Sequence, residues 1–489
     1  MTTNISSLPR LGRRPSRNAI VLTIAVWLPM LGWFAAFRPG FMSADSLEIY
    51  RQATQGGWLD IQPPIYTAAM WLSHVLIGSP SLLTLAQSLF LAAGIAAVAV
   101  ALVRIGANRT VVLATTAVVA LSPQVGAFSI SMWKDVPYAA TFLLVSARVI
   151  DLARARMLND PRLTRRVIWS LALWFSVAAA FRQNGILLAV GLAVALALIV
   201  RSSWKQILAA GLIAIAVLGL LKVVVYRVIG VKASGAQPSL AIQLHDIAAG
   251  AQADPDSFTA SDRALMDRMA PFEVWRQTYA SSGCSSANWE WDPRFRWDKL
   301  DGHSSEVISL WTRVIANHPL LVARNRLCIG AIAFRPDTNA GVLYTVSRGV
   351  DANPLGLHTA PIIGALDDPG RNVLDVLDEP GIQGIAWRAP GWIYAAYVAV
   401  LVVALRRRRW ELLLPALPLL MLQLSVFPVN PAQDARYMFP GLVLAVLLLT
   451  LVSVRSLPPG SAAADVSSDR VDVARSSAGG ERDNELIMT

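Results

Sequence analysis

Long apolar runs separated by short polar connections dominate the chain. They lie near 19–37, 81–103, 111–130, 136–151, 167–181, 185–200, 207–226, 386–405, 411–428 and 438–455. A hydrocarbon core about 30 Å thick is crossed by roughly 20 apolar residues in a helix. The pattern therefore predicts an all-α polytopic membrane protein with about ten transmembrane helices. The run 65–78 is too short to cross comfortably and reads as a re-entrant or interfacial helix.

Two polar stretches interrupt the series: 38–64, after the first run, and 227–385, which is long enough to fold as a domain. Helix-period stretches near 239–250, 260–279 and 304–325 predict that the second is mainly helical, with Asp-Pro turns at 254–255 and 292–293. The predicted organisation is a cytoplasmic segment 1–18 and a transmembrane module 19–226 with its first outer loop at 38–64. An extracytoplasmic domain 227–385, transmembrane helices 386–455 and a disordered cytoplasmic tail 456–489 follow.

Composition agrees with the pattern. Of 489 residues, 55% are hydrophobic and only 15% charged, with a mean hydropathy of +0.49. Soluble domains carry about 25% charged residues, so soluble enzymes, disordered proteins and nucleic-acid-binding domains are poor readings. The net charge of +11 acts first as a topology signal. With a cytoplasmic N-terminus, Arg104, Arg109, the run Arg154 to Arg166, Arg201, Lys205 and Arg406 to Arg409 all fall inside. The short outside connections hold Arg38, Arg51, Lys134, Arg182 and Arg436, the asymmetry expected of a multi-pass cell-membrane protein. Cys284 and Cys328 lie in the outer domain, where a disulfide and two buried free thiols both stay open.

Charged groups on the disfavoured side are the candidates for chemistry. Asp45, in Gly40-Phe41-Met42-Ser43-Ala44-Asp45-Ser46, reads either as a helix N-cap or as a general base at the membrane surface. Glu48 lies one helical turn on, where it assists Asp45 or faces solvent. Gln62-Pro63-Pro64 marks a sharp corner before the short apolar helix. Lys134 and Asp135 form either a surface ion pair or, respectively, a phosphate ligand and a group for an acceptor or metal. Arg182 and Arg436, the latter beside Tyr437, are suited to bidentate phosphate binding; snorkelling is the alternative. The histidines lack metal-ligand spacing, and no Walker, Gly-x-Ser-x-Gly or dinucleotide motif is present.

Together these residues form a series: an acid after the first span, a Pro-Pro corner, Lys134-Asp135, Arg182-Gln183-Asn184-Gly185 and Arg436-Tyr437. The series resembles integral-membrane glycosyltransferases of the GT-C fold, which include protein O-mannosyltransferases and aminoarabinose transferases. That resemblance implies a polyprenyl-phosphate-linked sugar donor, an envelope glycan, lipid or protein as acceptor, and an extracytoplasmic active site within membrane lipid. It implies Asp45 as base, Lys134 and Arg436 as phosphate ligands, Arg182 as a further one, and Asp135 as a guide for the acceptor. Asp45 and Asp135 are the candidates if a divalent cation (Mg or Mn) takes part. Two departures stand out: Ala44-Asp45 where many relatives pair two acids, and Gln62 where many have histidine. A polysaccharide polymerase and a lipid-linked-glycan flippase are the alternatives. The second fits less well, because the spans are nearly free of charge.

Overall fold

The protein's computed structural model describes residues 17–182, 185–282, 284, 292–337, 346–428, 430 and 432–454. The expected N-terminal segment up to Asn18 thus lies almost wholly outside the described residues, and the expected tail, Gln183 and Asn184 lie outside them altogether.

Every predicted apolar run contains helix. In chain order the first ten helices are α1 (Arg17–Ala36), α2 (Ala44–Gln55), α3 (Pro64–Ile77), α4 (Ser81–Arg104) and α5 (Arg109–Leu121), then α6 (Pro123–Ile130), α7 (Asp135–Met157), α8 (Pro161–Phe181), α9 (Gly185–Ile199) and α10 (Trp204–Leu220). The last continues through a π-helical turn to Val228. Three later apolar segments run over Ala389–Arg407, Trp410–Val426 and Phe439–Ser453. Five helices are long and apolar enough to cross a membrane, or six if α5 and α6, bent by 57° at Pro123, count as one. The chain is thus a helical, membrane-embedded protein, with only isolated β-bridges among its described residues. Helix α3 has 14 residues and spans about 21 Å, short of the hydrocarbon thickness. It follows the Pro-Pro corner, with Pro63 as N-cap and Pro64 in the first turn.

Helix α7 is central: 89% of its apolar window is buried, against 22% for α1. It packs on α4, α8 and the helix Phe439–Leu448. The approach of α4 to α7 depends on Gly94, where an added Cβ would lie 2.8 Å from the Ala140 carbonyl oxygen. On the periphery, Val21, Ile24 and Leu28 of α1 and Leu212 and Ile215 of α10 stay exposed, as lipid-facing positions do.

One end of the bundle gathers the polar chain. Between α1 and α2, the Phe41 amide donates to Ile130 O (3.0 Å) and the Met132 amide returns to Phe41 O (2.9 Å). On its other side, the Met42 amide donates to Gly349 O and the Asp351 amide to Met42 O. Gly40, at φ 130°, permits this squeeze, since a Cβ there would meet Ile130 O at 2.5 Å.

The long polar stretch holds a helical unit with its own core, including Leu244, Met266, Trp275, Leu300 and Val307. The predicted helix 260–279 is two, Ala260–Met269 and Phe272–Ser282, and 304–325 is also two, Ser304–Asn317 and Pro319–Ile329. Pro271 and Pro319 cause both breaks, because each lacks an amide N–H and displaces the preceding residue from helical geometry. Asp246 is fully buried here and accepts hydrogen bonds from Trp311, Asn325 and Arg326. Cys284 and Cys328 form a disulfide with Cα atoms 5.9 Å apart.

Candidate active site

Asp45 is not the N-cap of α2. Ser43 holds that position, and Asp45 sits in the first turn. Local bonds fix the start of this helix: the Trp133 indole donates to Ser43 Oγ (2.9 Å) and Ser46 Oγ donates to Met132 O (2.8 Å). The Asp45 carboxylate is left to face Arg436, whose Nη1 donates to its Oδ2 at 3.1 Å.

Arg436 projects from the short turn Ala435–Tyr437, which Asp434 caps through its Oδ1 and the Arg436 amide (3.0 Å). The other Asp434 oxygen lies 2.7 Å from Arg436 Nε. The guanidinium also lies over Trp133 (5.1 Å) and near the ring of Tyr437 (5.3 Å).

A second pair stands beside the first. Arg182, just past the end of α8, meets Asp135, at the start of α7, at 2.9 Å, and the Asp135 side chain is only 2% exposed. Arg182 lies over Tyr437 at 4.5 Å and near Tyr138 at 5.4 Å, so the Tyr437 ring touches both arginines. Lys134 does not form a surface pair with its neighbour. Its ammonium donates to Gln62 Oε1 at the Pro-Pro corner.

Charge explains the titration of the groups outside the spanning helices. Burial opposes ionisation of Asp45, yet the charges of Arg436 and Lys134 outweigh it and hold the carboxyl below its usual range. For Asp434, burial wins over Arg436 and raises the pKa. Burial also lowers Lys134, against the pull of Asp135 and Asp45. Three carboxylates face three cations, and the group is neutral as it stands.

Glu48 is placed differently. It accepts two bonds from Arg51 (2.8 and 2.7 Å) and one from Gln52 (2.9 Å) on its own helix, apart from the arginine pairs. His74 bonds the Tyr50 hydroxyl at 2.9 Å and ties α3 to α2. Asp434, Gln62 and Trp133 join the site although none was singled out from the sequence as a site residue. Asp434 had a legible signal, a capping residue two positions before an arginine.

The donor set suits an anion better than a resident divalent cation. Each of Asp45, Asp135 and Asp434 is already engaged by an arginine, so a cation would have to displace a guanidinium. Among the described residues no group of three or more His, Cys, Asp and Glu side chains is arranged to hold a metal ion.

No curated protein matches the chain. Two solved structures are similar to it. ArnT from Cupriavidus metallidurans in the apo state shares 17% identity over 89% of this chain and 77% of that one, with a TM-score of 0.33. The same protein bound to undecaprenyl phosphate shares 16% over 90% and 78%, with a TM-score of 0.34. A family model matches residues 62–326, more than half of the chain, and the protein belongs to that family, DUF6020, described as a family of unknown function.

Proposed function

We propose that the protein is a membrane glycosyltransferase that moves a sugar from a polyprenyl-phosphate donor to the hydroxyl of an extracytoplasmic acceptor. The observation that carries this reading is the Asp45–Arg436 pair, set among Lys134, Arg182 and Asp135 where spanning helices end. A carboxylate poised for proton transfer beside several cations is what transfer from a phosphate leaving group requires.

In the proposed reaction, the acceptor oxygen attacks the anomeric carbon, and the bond from that carbon to the phosphate oxygen breaks. Polyprenyl phosphate leaves with the electron pair, and Asp45 takes the acceptor proton. Arg436, Arg182 and Lys134 meet the phosphate charge, while Asp135 orients Arg182. Attack opposite the leaving phosphate inverts the anomeric centre. The residues do not fit a resident Mg or Mn ion, so no step is assigned to one. The polar stretch 227–385 faces the acceptor.

Purified protein incubated with a panel of labelled polyprenyl-phosphate sugars and an envelope extract tests this. Transfer of label that is lost on replacing Asp45 supports the reading. Unchanged donors throughout the panel overturn it.

A further inference from the structure

The helical unit within the polar stretch carries a second charged cleft, lined by none of the site residues above. It has a volume of about 320 Å³ and is lined by Arg268, Arg296, Asp298, Lys299, Asp301 and His303. That size is at the lower end for small-ligand sites.

Its two arginines stand out by their partners. Nearby Arg263, Arg276, Arg294, Arg313 and Arg326 each meet a carboxylate. Among the described residues, neither Arg268 nor Arg296 is in ion-pair contact with an acid. Arg268 donates to the ring of His303 at 3.1 Å, and Arg296 donates to the Asp267 carbonyl at 3.3 Å. The acids in the cleft have other partners: Asp298 pairs with Lys299 of the same lining (3.1 Å), and Asp301 accepts from the Ala236 amide (2.8 Å). Two guanidiniums without a carboxylate partner among the described residues, bordering one cleft, present forked donors suited to a planar or tetrahedral anion.

The cleft wall is held in place. Trp297, between Arg296 and Asp298, stacks on Phe295 at 5.1 Å, and Phe295 packs edge-on to the buried Trp275 at 5.0 Å. It is also joined to the first polar loop. Asp301 binds Ala236, and two residues earlier Ser234 donates from both its amide (2.6 Å) and its hydroxyl (2.7 Å) to Asp60. Asp60 lies in the connection between α2, which carries Asp45, and α3. The charged lining matches a hydrated polar ligand and not an acyl chain.

We propose that this cleft binds the acidic group of an anionic saccharide, through Arg268 and Arg296, as a docking site for an acceptor glycan. Its acceptor role rests on the transferase reading, whereas the binding itself does not.

The test uses full-length protein in nanodiscs of neutral lipid, titrated calorimetrically with methyl glucuronide, methyl glucoside and inorganic phosphate. The glucuronide is expected to bind, and the double variant R268A/R296A to weaken it about tenfold or more. R268K/R296K retains much of the affinity, and D45N binds as the native protein does. Undiminished binding by R268A/R296A overturns the proposal, as does equal affinity for methyl glucoside. Phosphate that binds as tightly as the glucuronide overturns the saccharide assignment. A protein that binds glucuronide through these arginines yet transfers no sugar refutes the transferase reading alone.

Discussion

Arg436 bonds Asp45 at 3.1 Å across a separation of 391 residues, and the same guanidinium is held from behind by Asp434. One arginine thus joins the proposed base to the proposed phosphate site. A phosphate arriving at Arg436 competes with Asp45 for its donors. In the proposed reaction, loosening of that bond would leave burial to raise the proton affinity of Asp45, strengthening the base once a donor is bound.

The Asp45→Asn variant should keep the shape of the site and lose the proton acceptor. Transfer is expected to fall by about 10²–10⁴-fold, with donor affinity unchanged or tighter because a competitor for Arg436 has gone. Paired measurements of label transfer and donor binding check this. Native turnover in the variant removes Asp45 from the base role.

Acidity gives a second test. Asp45 is held below its ordinary range of about 3.9, so it is ionised at neutral pH and is protonated only as pH falls past that depressed value. Loss of kcat/KM on the acid side should therefore begin low. In Arg436→Gln the main lowering influence is gone while burial remains, and the acid limb should move to higher pH. A limb that does not move, recorded over one pH series for both proteins, sinks the assignment.

Asp135 is the most deeply buried acid in the site, and Arg182 is its ion-pair partner. Arg182→Ala leaves that charge uncompensated, at an expected cost of about 3–5 kcal/mol, visible as a lowered thermal midpoint in detergent. Pairing it with Asp135→Leu should recover much of the stability while donor binding stays weak. If the double variant binds donor normally, Arg182 is structural only.

Reduction should act on the helical unit. The Cys284–Cys328 bond closes a loop with a sequence separation of 44, worth about 4 kcal/mol by chain entropy. Dithiothreitol, or serine at both positions, should lower the midpoint of thermal unfolding. Gln433, which approaches Cys284 Sγ at 3.9 Å, lies next to Asp434, so transfer should weaken too. An unchanged midpoint after reduction argues against a stabilising bridge.

Much of this was legible in the sequence. The apolar runs located the apolar helices because period and length are properties of the local chain. Five of them, or six with α5 and α6 taken together, are long and apolar enough to span where about ten were expected. The Pro-Pro corner and the short α3 followed from the same reading, and Lys134, Asp135, Arg182 and Arg436, singled out from it, lie together in the fold. Pairing was not legible. Lys134 turned to Gln62 and Asp135 to Arg182 through helix packing that brings residues far apart in sequence together. Glu48, read as assisting Asp45 or facing solvent, instead pairs with Arg51 three positions on along α2. Asp434 carries only a capping signal two positions before an arginine, and the fold alone shows it gripping that arginine.

The long separation between Asp45 and Arg436 also bears on biosynthesis. The acid is made 391 residues before its arginine, so a nascent chain carries Asp45 through that stretch of synthesis without its counter-ion. No chain that stops before residue 436 holds the complete ion-paired cluster.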